Sequence, residues 1–191
     1  MLEIEVKVRV SDLGPVRSRI LTLGAVEAQG PYHEMNVLYD FQNRALFKKR
    51  HALRLRTAGK KAFLTFKGEP RKSRKYKIRE EYETEIKNPR HARKILKALG
   101  FVEVFRYEKR REVFRKGTLT ICLDETAAGL FIEFEGEREK IARFSQLLKI
   151  PKKDWIKLDY IQLLQNAGKE GSLSYSSSLP SPTSSTGKFS S

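Results

Sequence analysis

The chain has 191 residues, with 39 Lys and Arg against 23 Asp and Glu, a formal net charge of +16 at pH 7. That length allows one sizeable domain with a tail. A hydrophobic fraction of 39% and a charged fraction of 32% fit a soluble globular protein, and no apolar run approaches the roughly 18 residues of a membrane span. The single cysteine, Cys122, excludes a disulfide framework and a cysteine-rich zinc site. The N-terminus opens directly into a charged strand pattern, which excludes a signal peptide and makes the cytoplasm the expected location. The positive excess favours polyanionic partners such as nucleotides, polyphosphate, nucleic acid or an anionic surface.

Strict alternation over Leu2–Val10 predicts a half-buried strand, with Glu3, Glu5 and Lys7 on one face and Ile4, Val6 and Val8 on the other. Ser11-Asp12 before Leu13-Gly14-Pro15 signals a helix start; Val16, Ile20, Leu21 and Leu23 form its apolar stripe, and Gly24 ends it. Strands are expected next at Val37–Phe41, Ala52–Thr57, Ala62–Lys67 and Tyr76–Ile86. Asn88-Pro89 starts a second helix with the stripe Ala92, Ile95, Leu96 and Leu99, closed by Gly100. Glu5 to Gly24 and Glu81 to Gly100 span equal lengths of chain, which reads as an internal duplication of a strand–helix–strands unit. Further strands are expected at Val102–Phe114, Thr118–Asp124 and Leu130–Glu135, then helices from Glu137 to Leu148 and from Pro151 to Asn166. Residues 1–167 form the expected domain. Residues 168–191, rich in Ser, Thr, Pro and Gly, cannot offset their ordering entropy and read as a flexible tail.

About eight antiparallel strands, each with one charged and one apolar face, suggest an α+β fold: a closed barrel, charged inside, with helices packed outside. Glu3 and Glu5 project in one direction about 7 Å apart, as do Glu133 and Glu135. If the ring closes, the two pairs converge, and four confined carboxylates require a cation. Oxygen ligands with few histidines favour Mg²⁺ or Mn²⁺. Four surface glutamates on edge strands are the plainer alternative. Arg54, Arg56, Lys67, Lys109 and Arg111 stand at alternation sites, where guanidinium forks and ammonium groups suit phosphate oxygens; simple interior ion pairs would explain them too. Arg79, Glu81 and Glu83 share one strand face. His33, His51 and His91 lack metal-ligand spacing, and Cys122 reads as a small wall residue. Tyr39 and Asp40 point oppositely, so only one can face inward.

Glu3-x-Glu5-x-Lys7, Ala52-Leu-Arg-Leu-Arg56, Leu64-Thr-Phe-Lys67, Arg79-Glu-Glu-Tyr-Glu83, Lys109-x-Arg111, Leu123-Asp124 and Phe131-Ile-Glu-Phe-Glu135 occur in the order seen in the CYTH domain. Over about residues 1 to 165 the chain resembles that superfamily, the triphosphate tunnel metalloenzymes, and its class IV (CyaB-like) adenylate cyclase branch most. The resemblance implies an eight-stranded tunnel, a divalent metal and a triphosphate substrate such as ATP, thiamine triphosphate or tripolyphosphate. Glu3, Glu5, Glu133 and Glu135 would then be metal-related. Arg54, Arg56, Lys67, Lys109 and Arg111, with Arg79 by alternation, would hold the triphosphate. Lys7 would be a proton acceptor or electrostatic stabiliser, Asp124 would hold metal or position the nucleophile, and Glu81 and Glu83 would organise the cations. The expected activity is cyclisation of ATP to cyclic AMP and pyrophosphate, with triphosphate hydrolysis as the alternative. A homodimer is common in similar proteins, and no membrane partner is expected. A basic nucleic-acid-binding module is the reading from another class, and the lack of an RRM, KH or zinc-knuckle signature counts against it.

Overall fold

The computed structural model describes residues 2–168; of the tail expected at 168–191, all but Gly168 lies outside them. The elements run β1 (Leu2–Val10), α1 (Leu13–Thr22), β2 (Val26–Asp40), α2 (Ala45–Lys48), β3 (Ala52–Ala58), β4 (Lys61–Lys67), β5 (Lys77–Glu85), α3 (Pro89–Ala98), β6 (Val102–Lys116), β7 (Leu119–Thr126), β8 (Gly129–Glu135), α4 (Arg138–Leu147) and α5 (Tyr160–Asn166). A short 3-10 turn at Lys152–Asp154 precedes α5. All eight strands close into one barrel in the order β1-β5-β4-β3-β2-β6-β7-β8, and every neighbouring pair is antiparallel. Exchanging β1–β4 with β5–β8 reproduces the same ring read in reverse, which is the two-fold pseudo-repeat expected from the duplicated sequence grammar.

The two repeat helices are built alike. The Asp12 carboxylate accepts from Gly14 N at the start of α1, and the Asn88 side chain accepts from His91 N at the start of α3. Gly24 at φ 77° and Gly100 at φ 87° take the left-handed conformation that ends each helix, a backbone state costly for residues with a Cβ. The outward faces of the strands form the core. Val6, Val8, Ile121, Ile132 and Phe134 meet Ile20 of α1 and Ile141 and Phe144 of α4, while Val37, Tyr39 and Leu55 meet Leu96 of α3. The α3 stripe is narrower than expected: Leu96 is buried, but Ile95 and Leu99 are 59% and 64% exposed. Among the described residues no helix is long and apolar enough to cross a membrane.

Three segments differ from the sequence expectation. The strand expected at Val37–Phe41 begins eleven residues earlier in chain terms, at Val26, because β2 pairs with both β3 and β6. Register shifts between Glu27 and Gln29 and between Gln29 and Tyr32 absorb Gly30-Pro31, and those irregularities hide the alternation. The short helix α2 was not expected; Asp40 organises it by accepting from the backbone N–H groups of Phe41, Leu46 and Phe47. The helix expected over Pro151–Asn166 is only its second half. Ile156 instead exchanges backbone hydrogen bonds with Lys7, and a capping box at Asp159 and Gln162 starts α5 at Tyr160. Phe134 is fully buried with its ring 6.3 Å from that of Phe144, so Phe134→Ala should lower unfolding free energy by about 3–5 kcal/mol in chemical denaturation; an unchanged midpoint would contradict this core assignment.

Candidate active site

Antiparallel register turns alternation into a charged lumen. Glu3 lies opposite Arg79, Glu5 opposite Lys77 on one side and Glu135 on the other, and Lys7 opposite Glu133. Lys67 lies opposite Glu81, and Arg111 opposite both Tyr32 and Asp124. Paired residues in an antiparallel ladder share a face, and these side chains, Tyr32 and Asp124 apart, line one cavity of about 180 Å³. Of the fourteen charged residues expected at the site, only Asp124 does not line this cavity.

One sector is acidic. Lys67 Nζ donates to both oxygens of Glu3, at 2.7 and 2.8 Å, and lies 3.0 Å from Glu81. Glu5 Oε1 receives two ammonium groups, Lys7 at 3.0 Å and Lys77 at 2.9 Å. The acids still outweigh their partners. Burial, then the charges of Glu5 and Glu81, push the Glu3 carboxyl up to about 8 even though Lys67 pulls against them. Burial and the neighbouring Glu133 likewise raise Glu135. Glu5 behaves oppositely: burial alone would raise it, but Lys7, Lys77 and Lys67 hold it well below the usual carboxylate range. Burial, with Lys7 and Lys67 nearby, lowers the Lys77 ammonium.

The other sector is basic. Arg111 makes a two-pronged contact with Asp124, both arms at 2.6 Å, and reaches Glu133 at 3.0 Å. Asp124 is wholly buried and also accepts from Lys109 at 3.3 Å and from the Tyr160 hydroxyl. Its oxygens are therefore saturated by residues that themselves line the lumen. Glu34, also wholly buried, pairs with Arg56 at 3.2 Å and Lys109 at 3.4 Å; burial is outweighed by Lys109, Arg111, Arg56 and Arg54, which keep it ionised far into acid. Arg56 and Arg54 reach Glu83 at 2.9 and 3.7 Å. The Nε atoms of Arg54, Arg56 and Arg79 and both amide atoms of Asn36 are buried without a hydrogen-bond partner among the described residues. Unmet donors of this kind are costly in a closed interior. Lys7 lies 3.0 Å from Glu5 and 2.8 Å from Glu133; burial would favour its neutral form, but the two carboxylates hold it as an ammonium far above neutral pH.

A sequence profile of the CYTH domain matches residues 1–155. The chain belongs to the CYTH family. It is 30% identical over 174 residues to a Methanocaldococcus jannaschii protein that carries the provisional name adenylate cyclase, a match covering 85% of this chain and 98% of that one. The fold is similar to the solved PH1012 protein of Pyrococcus horikoshii, with a TM-score of 0.72 at 26% identity, covering 84% of this chain and 98% of that one. It is also similar to a Hippeastrum protein described as a provisional adenylyl cyclase with a dominant triphosphatase activity, with a TM-score of 0.64 at 20% identity, covering 88% and 96%.

Sequence reading missed four residues of this CYTH barrel interior. Lys77 was legible, since it continues the alternation of Arg79 and Glu81. Glu34 and Asn36 share the parity of Leu38, but the Gly-Pro interruption concealed the strand that carries them. Tyr160 lies within the helix expected over Pro151–Asn166, to which no site role was given, whereas it contacts Asp124. Of Tyr39 and Asp40, Tyr39 packs outward against Leu96 and Asp40 anchors α2. Cys122 is a buried wall residue whose thiol burial pushes up to about 12.

The raised Glu3 gives a pH test. Between about 4.5, the ordinary value, and about 8, the folded chain retains a proton that the unfolded chain has released, so this group makes stability fall as pH rises through that window. Glu3→Gln should therefore become more stable relative to wild type from pH 5 to pH 8.5 in urea titrations. A difference independent of pH would contradict the crowding of Glu3 by its neighbours.

Proposed function

We propose that this chain is a divalent-cation-dependent enzyme acting on a triphosphate-bearing substrate held in the barrel, with cyclisation of ATP to cyclic AMP and pyrophosphate as its reaction. The observation that carries the proposal is the pairing of a carboxylate-rich sector with a guanidinium sector that has unmet donors across one small cavity. Such a cavity suits neither a neutral ligand nor a lone anion. It suits an anionic chain that brings its own cations.

Glu3, Glu5 and Glu135 are the residues that would hold a divalent cation, with Mg²⁺ or Mn²⁺ matching their hard oxygen donors. Among the described residues no three carboxylates, cysteines or histidines already converge as a ready-made cation cage. Lysine ammonium groups stand between the acids instead, and burial, together with the charges of Glu5 and Glu81, raises Glu3. When bound, the cation would supply electrostatic stabilisation of charge on the phosphate oxygens. Glu133 acts differently, since its contacts at 2.8 and 3.0 Å let it orient Lys7 and Arg111.

Arg54, Arg56, Arg79, Lys109 and Arg111 form the triphosphate clamp in this reading. Phosphate oxygens would take over contacts now made by Glu34, Glu83 and Asp124, and satisfy the free Nε atoms. Lys7, kept as an ammonium by its two carboxylates, stabilises developing charge rather than accepting a proton. Asp124, saturated by Arg111, Lys109 and Tyr160, positions the clamp and does not meet the substrate. Leu38, Ala52, Tyr107 and Ile161 supply the apolar wall on which a nucleoside can rest. In cyclisation the ribose 3′-oxygen bonds to the α-phosphorus, its proton passes to water, and the bond to pyrophosphate breaks.

Triphosphate hydrolysis is the second reading. It uses the same clamp with water attacking the terminal phosphorus, and the activity described for the structurally similar Hippeastrum protein favours it. Incubation with ATP, tripolyphosphate or thiamine triphosphate, each with Mg²⁺ or Mn²⁺, separates the two. Cyclic AMP plus pyrophosphate is the expected product; orthophosphate release would replace it with the hydrolytic reading, and no turnover would overturn both. Glu3→Ala should abolish cation-dependent turnover, and Arg111→Ala should lower kcat/KM about 10²–10³-fold, as loss of one charge-stabilising donor does. Full activity in either variant would remove that residue from the site.

A further inference from the structure

The charged lumen is formed by strands, yet one of its contacts comes from the C-terminal helix. Tyr160 is the first residue of α5, lies beyond the matched residues 1–155, and is only 5% exposed. Its hydroxyl donates to Asp124, the carboxylate that holds both arms of Arg111. Its ring lies 5.0 Å from Lys7 Nζ and 4.7 Å from Lys109 Nζ, within cation–π range of both. Two cations of the proposed clamp, Lys109 and Arg111, and the neighbouring Lys7 are thus touched, directly or through Asp124, by one side chain from outside the barrel.

The seat of this ring is built rather than incidental. Phe131 meets it edge-on at 5.8 Å and Tyr107 lies 6.1 Å away, while Leu163 and Leu164 hold α5 against the same apolar cluster. The segment before α5 is tied to β1 at Lys7 itself: Lys7 N donates to Ile156 O at 3.1 Å and Ile156 N to Lys7 O at 2.8 Å. The capping box at Asp159 and Gln162 then sets where the helix begins, and so where Tyr160 points.

We infer that Tyr160 is a positioning residue of the triphosphate site, fixing Arg111 through Asp124 and seating the ammonium groups of Lys7 and Lys109, so that the barrel's anion clamp is complete only with α5 docked. This rests on the triphosphate reading. With the hydroxyl in place, Asp124 has a neutral donor on one oxygen and keeps its orientation when phosphate draws Arg111 toward the lumen. Without it, Asp124 relies on Arg111 and Lys109 alone, and pulls them back from the guest.

The test is calorimetric titration of the full chain with sodium tripolyphosphate and with ATP, each with Mg²⁺, alongside thermal melts. Tyr160→Phe keeps the ring and removes the hydroxyl; it should weaken tripolyphosphate binding about tenfold with little change in Tm. Tyr160→Leu, which also removes the ring, should weaken it further. On an Asp124→Asn background, Tyr160→Phe should have no further effect, because the hydroxyl acts through that carboxylate. Leu163→Ala loosens α5 without touching the cations and should lower Tm more, and affinity less, than Tyr160→Phe. Wild-type affinity in Tyr160→Phe, full additivity with Asp124→Asn, or a larger affinity loss in Leu163→Ala would each overturn the positioning role while leaving the triphosphate reading intact. Failure of wild type to bind either triphosphate would overturn that reading and this inference with it.

Discussion

A carboxylate or ammonium taken out of water loses hydration worth several kcal/mol, and a barrel interior returns it only through well-placed opposite charges. In this chain the ladder register does the placing. Lys7 falls between Glu5 and Glu133, Lys67 between Glu3 and Glu81, and Arg56 between Glu34 and Glu83. No loop carries these groups, so their spacing is as rigid as the sheet. The neutralisation is uneven, however. Asp124 is fully matched and Glu34 pairs with Arg56 and Lys109, whereas Glu3 and Glu135 are raised by burial among other acids. In the proposed reading, a bound cation would offset that residual imbalance.

Burial of charge on this scale is tolerable because the apolar packing lies elsewhere. The outward faces of the strands, under α1, α3 and α4, hold the fully buried side chains Phe114, Phe134, Ile121 and Ile132 together with their helical partners. A closed ring leaves no edge strand whose unpaired backbone could recruit another chain. Inside and outside thus carry separate duties on alternate residues of the same strands.

Period-two alternation is a strong local signal, and the inward sets Glu3-x-Glu5-x-Lys7, Arg54-x-Arg56 and Glu133-x-Glu135 could be read from residue order alone. The caps at Asp12 and Asn88 and the stops at Gly24 and Gly100 were equally plain. Long-range placement was not. Nothing local to Glu34 reveals that two bulges carry β2 past Gly30-Pro31, and nothing local to Tyr160 reveals that Ile156 will pair with Lys7. The role of Asp124 misled for a related reason: strand parity places it inside, but only the convergence of Arg111, Lys109 and Tyr160 shows that it lies behind the lumen. The exposure of Ile95 and Leu99 shows that an apolar stripe can be wider than the surface available to cover it.

The exchanged positions of β1 and β5 bear on how the chain reaches this structure. β1 pairs with β8 on one side and β5 on the other, Lys7 facing Glu133 and Glu3 facing Arg79, so the first strand synthesised must wait for the last. Neither half can complete a ring alone, and pairings so distant in sequence make for slow folding. Lys7 meets Glu133 across the β1–β8 seam, while Lys67 and Lys77 meet Glu3 and Glu5 on the β5 side of the same strand. The seam of the barrel is therefore also the wall of its charged cavity, and the native charge pairing is complete only in the closed ring.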